Sequence, residues 1–160
     1  MKVRILFSLL ALFIASCSVF QGSEQQLQQE RENIVQVSSD IFNKLILKGQ
    51  AAQVYQEASE DFQNTVLPKQ FEHKLSVLLR AYPQSDVELM GYEPVDQDGV
   101  AAVYAKSVSQ VKPLYFRLAL VDNNGFKLTK FSVNEMSISP SESYAEFNPA
   151  IPVSKHQTVK

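Results

Sequence analysis

The 160-residue chain has no tryptophan, one cysteine, two histidines and five glycines. A single cysteine cannot close an intramolecular disulfide, so the fold has to hold without a disulfide framework. The histidines are His73 and His156, and neither a carboxylate nor a second histidine stands four residues after His73, so metal-ligand spacing is absent. There is no Gly-rich phosphate loop and no G-x-S-x-G nucleophile turn. Lys and Arg number 15 against 17 Asp and Glu, with no basic run, which argues against a nucleic-acid surface. The apolar stretch Ile5–Ile14 is interrupted only by Ser8. It is too short for a spanning helix, which needs about 20 such residues.

That stretch is nonetheless the first informative feature present. Lys2 and Arg4 precede it, and the small residues Ala15 and Ser16 follow it, as in a secretory signal peptide. The tetrapeptide "IASC", Ile14 to Cys17, resembles the bacterial lipobox. The resemblance implies cleavage between Ser16 and Cys17, a diacylglyceryl group on the Cys17 thiol and a bacterial cell-envelope location. Two acyl chains suffice for stable anchoring where one does not. Ser18 stands where an aspartate would favour retention at the inner membrane, so the outer membrane, facing the periplasm, is expected in a cell that has two. Residues 1–16 are read as a lipoprotein signal peptide and 17–26 as a tether.

The next segment has helical periodicity. Leu27, Ile34, Ile41 and Leu45 fall on one face, widened by Val35, Phe42 and Ile46, and Gly49 marks an end. A second helix is expected from about Gln50 to Phe62 on Ala51, Val54, Tyr55, Ala58 and Phe62. A third, opened by Pro68, carries the stripe Phe71, Leu75, Leu78 and Tyr82, and Pro83 stops it. Beyond Pro83 the period changes to two. Val87–Met90, "VAAVYAKSVS" and "LYFRLALV" read as strands, and Asp122-Asn123-Asn124-Gly125 as a hairpin turn. The last strand runs from Phe126 to about Asn134, with a bulge near Thr129 or Lys130 where alternation breaks. Residues 137–160 hold three prolines and no clear period, and are expected to form a flexible tail.

Residues 27–136 therefore predict one α+β domain, with three N-terminal helices on one face of a curved antiparallel sheet of four or more strands. From Asp40 to Asn134 the chain resembles the nuclear-transport-factor-2-like, or cystatin-like, cone domains. The resemblance rests on "LKGQAAQVYQEASEDFQ", "LPKQFEHKLSVLLRAY" and "NNGFKLTKFSVN". It departs from them at Phe126, where members often carry tryptophan. The family implies a pocket between sheet and helices, in which its enzymes place Asp, His or Tyr, and an open sheet face often used for dimerisation.

Little in this chain suits catalysis. His73 lies on the polar face of its helix, and Glu57, Glu60 and Asp61 lie away from the core stripe of theirs. Neither an enzyme, a cofactor nor a metal is expected. The inward strand positions Val103, Phe116, Leu118, Phe126 and Leu128 are apolar, which suits ordinary core or, alternatively, a pocket for a small apolar ligand. The opposite face is expected to present Met90, Tyr92, Tyr104, Lys106, Tyr115 and Arg117. Tyr, Met and Arg are enriched at protein interfaces. The expected role is a lipid-anchored binding or assembly module that meets a protein partner, or a second copy, through this face.

Overall fold

The structure, a computed structural model, describes residues 24–81, 86–108 and 112–153. The chain divides into two units, residues 1–33 and 34–160. In the first, residues 24–33 are helical, Gln28 Nε2 donates to Glu32 Oε1 at 2.9 Å, and Leu27 is 58% exposed rather than core-facing. Cys17, Ser18 and the expected leader lie outside the described residues.

The second unit opens with helix α1, residues 34–42, which widens into a π turn at Asn43–Leu47. Gly49 follows at φ 67°, a left-handed conformation suited to glycine. Where the period suggests one helix from Gln50 to Phe62 there are two, α2 (Ala51–Glu57) and α3 (Glu60–Thr65). Ala58 turns extended, and the Ser59 side chain caps α3 by accepting the Phe62 amide at 3.2 Å, with Glu60 and Asp61 in the first turn. The local cap thus overrides an apolar stripe that reads as continuous. Helix α4 (Pro68–Ala81) starts on Pro68 as expected and buries Phe71 and Leu75.

Five strands follow: β1 (Val87–Glu93), β2 (Val100–Ser107), β3 (Tyr115–Asp122), β4 (Phe126–Asn134) and β5 (Ala145–Val153). They form one open antiparallel sheet in the order β4-β3-β2-β1-β5. The β3–β4 hairpin turns at the expected residues, with Asn124 at φ 55° and Gly125 at φ 120°. Its ladder pairs Ala119 with Lys130 and Leu120 with Leu128, so Thr129 is the extra residue of a bulge. Val103, Phe116, Leu118, Leu120 and Leu128 are buried in one core with the helical Ile34, Phe42, Leu45, Val54, Phe62 and Phe71. Phe116 meets Phe42 edge-on at 5.4 Å and stacks near Phe131 at 6.2 Å. Helices followed by an open antiparallel sheet define an α+β fold.

Two expectations need correction. Residues 145–153 are a sheet strand and not a flexible tail: β5 pairs with β1 from Val87↔Val153 to Tyr92↔Ala145 and buries Phe147 and Val153. Pro149 and Pro152 obscure its period, and β5 lies at an edge of the sheet, where proline is tolerated. Tyr92 is also not on the outer face. Leu89 pairs with Ala105 and Gly91 with Tyr104, so Met90 is a bulge residue and alternation reverses after it. Tyr92 pairs with Val103 on the core face and stacks on Phe147 at 5.5 Å, while Glu93 takes the outer face.

Candidate functional site

The outer face is organised by β2 and β3. Tyr104 pairs with Arg117 and Lys106 with Tyr115, so all four share it. The β1 bulge adds Glu93, a residue that strict alternation had turned inward. The Tyr104 hydroxyl donates to Glu93 Oε1 at 2.7 Å, and Arg117 Nε donates to the Tyr104 hydroxyl oxygen at 3.2 Å. The guanidinium carbon lies 5.7 Å from the centre of the Tyr104 ring, and Arg117 Nη2 is 3.7 Å from Glu93 Oε2. A pleat from two strands and a bulge from a third thus bring together a carboxylate, a phenol and a guanidinium.

The chain beyond β4 then crosses this face. The Ser141 amide donates to Glu93 Oε1 at 2.7 Å, and Tyr144 meets Tyr104 edge-on at 5.4 Å. Tyr144 also lies over Gly91, where any Cβ would collide with its ring and with the Ala145 carbonyl oxygen. The absence of a side chain at Gly91 lets the crossing segment sit down on the sheet. Tyr104 is consequently only 8% exposed, although the sequence pattern puts it on an open surface. Tyr115 and Met90 are half-buried and line a hollow of about 230 Å³ with Ile138, Pro140 and Tyr144. The Arg117 side chain remains 29% exposed.

The electrostatics follow from this closure. Burial opposes ionisation of Glu93, but the Ser141 amide, the Tyr104 hydroxyl and the Arg117 charge outweigh it and hold the carboxyl below its ordinary range. Burial pushes the Tyr104 phenol up, and its hydrogen bond to Glu93 adds to that. The cluster therefore stays a carboxylate, a neutral phenol and a guanidinium at neutral pH. Such a set can hold a cation rigidly in place at a surface.

The alternative pocket residues divide. Val103, Phe116 and Leu118 are fully buried, which leaves them as filled core. Phe126 and Leu128 border a hollow of about 270 Å³ with Ile41, Val54, Asp40 and Glu57. Beside it Lys44 bridges Asp40 at 2.7 Å and Glu57 at 2.6 Å. His73 is exposed, as are Glu60 and Asp61.

Among the described residues no helix is long and apolar enough to cross a membrane, and no group of three His, Cys, Asp or Glu could hold a metal ion. Comparison with protein-family models, curated proteins and solved structures finds no match to this chain.

Proposed function

We propose that this chain is a lipid-anchored module of the bacterial envelope, held by Cys17, that binds a protein partner or a second copy through the outer sheet face around Arg117. The observation that carries this reading is the restraint on Arg117. Its guanidinium is fixed by Tyr104 and Glu93 before any partner arrives, yet part of the side chain stays open. Arginine held in this way loses little conformational freedom on binding, and arginine and tyrosine dominate interface energetics. Tyr115 and Met90, which line one hollow beside Tyr104, extend the face. The finer reading of the fold as a nuclear-transport-factor-2-like cone belongs to the same proposal, supported by the bulges at Met90 and Thr129, which bend strands.

A photoreactive amino acid placed at Tyr115 in the full-length protein tests the partner reading in native membranes. One discrete adduct is expected, lost on Arg117→Gln. No adduct, or the same adduct in the Arg117→Gln variant, contradicts the reading. Tyr104→Glu is a poor probe, because it sets a second carboxylate beside Glu93 in a buried position. Anchoring is tested separately with a clickable fatty acid, whose incorporation should vanish in Cys17→Ala.

A further inference from the structure

On the opposite side of the sheet, α3, α4 and β4 enclose a second, more apolar groove of about 340 Å³ that opens to solvent. Its floor is Phe62, Phe71 and Leu75, all buried. Its walls are the half-buried Val66, Leu78, Phe131 and Val133. Only two polar side chains border it, Gln70 and Lys74, four residues apart on one face of α4. Among the described residues no carboxylate pairs with Lys74. The positions three and four away along the helix are Phe71, Gln70, Val77 and Leu78, so no acid can reach it within its own helix.

We propose that this groove binds the chain of a free fatty acid, with Lys74 meeting its carboxylate. The volume is near the lower end of the roughly 300–1,000 Å³ usual for ligand sites, which suits one acyl chain rather than a two-chain lipid. The lining offers aromatic and aliphatic side chains with almost no hydrogen-bonding partners. A peptide laid there would bring backbone N–H and C=O groups into surroundings that cannot satisfy them. A hydrocarbon chain brings none. The single unpaired cation at the rim then selects an anionic head over a cationic one. This site shares no residue with the Arg117 face and stands or falls independently of it.

The test uses a diazirine-tagged dodecanoate on the full-length protein, with crosslinks mapped by peptide mass spectrometry. Labels are expected on Gln70–Leu78 of α4 and on Phe131–Val133 of β4. Unlabelled dodecanoate should compete, and each methylene removed from the competitor should weaken it about fourfold. Dodecyltrimethylammonium, the same chain with the opposite charge, should compete at least fivefold less well. Lys74→Glu should abolish that preference, and Leu78→Trp, which fills the groove, should remove labelling. Labelling scattered over the surface, or unchanged in the variants, overturns the proposal, as does equal competition by the cationic amphiphile. Lys74 is exposed, so its variant decides the matter even if Leu78→Trp fails to fold.

Discussion

The two edges of the sheet are built by different rules. At one edge, β4 follows β3 through a tight turn, and its apolar residues recur with one bulge at Thr129. At the other, β5 arrives only after the chain has crossed the outer face past Tyr115, Tyr104 and Glu93, and it carries two prolines. Both edges bury an apolar side chain: Leu128 at the first, where the half-buried Phe131 also meets Phe71 and Phe116, and Phe147 against Tyr92 at the second. Equivalent burial is thus reached by a local pairing in one case and by a long return in the other. A strand's contribution to the core does not depend on how plainly its sequence announces it.

The largest test of that equivalence is a pair of truncations. Phe147→Ala and Phe71→Ala should each cost about 3–5 kcal/mol in a denaturant titration, since both rings are buried. A silent Phe147→Ala would restore the difference between a structural edge and a loose tail. Next in size is Gly91→Ala, where the added methyl meets both the Tyr144 ring and the Ala145 backbone. The crossing segment must then shift, for about 1–3 kcal/mol as in other overpacked sites. A pH titration should separate the edges more gently. The folded Glu93 has a lowered pKa, so its contribution is complete above the ordinary glutamate value of about 4.3. That contribution is lost as pH falls through the lower folded value. Acid should therefore loosen the β1–β5 side, and Glu93→Gln should flatten that part of the stability profile. Tyr115→Phe should have the smallest effect on folding, within about 0.5 kcal/mol, because it keeps the half-buried ring and removes only the hydroxyl.

Much of the β4 side was legible because its signals are local. Pro68 starts α4, the Phe71–Leu75–Leu78 stripe faces inward, Asn124-Gly125 supplies the positive φ angles of the hairpin, and the broken alternation places the bulge. The β1–β5 side was not, because what decides it is a pairing across more than fifty residues. One local signal was available. Gly91 inside a strand marks a bulge or a close backbone approach, and here it marks both. Read that way, it would have turned Tyr92 inward and brought Glu93 out to meet Tyr104 and Arg117. The split between α2 and α3 had its own signal in Ser59 followed by Glu60 and Asp61, a capping sequence outweighed by the apolar period around it. Tyr104 and Arg117 could be placed on a shared face from alternation alone, but their burial by the crossing segment could not.

Amide hydrogen exchange on the full-length protein tests the central claim most directly, because it perturbs nothing. The amides of β5 that pair with β1 should be protected to the same degree as those of β1, together with the Ser141 amide that Glu93 accepts. Exchange of residues 141–153 at the rate of an unstructured chain, while β1 to β4 stay protected, would contradict the account.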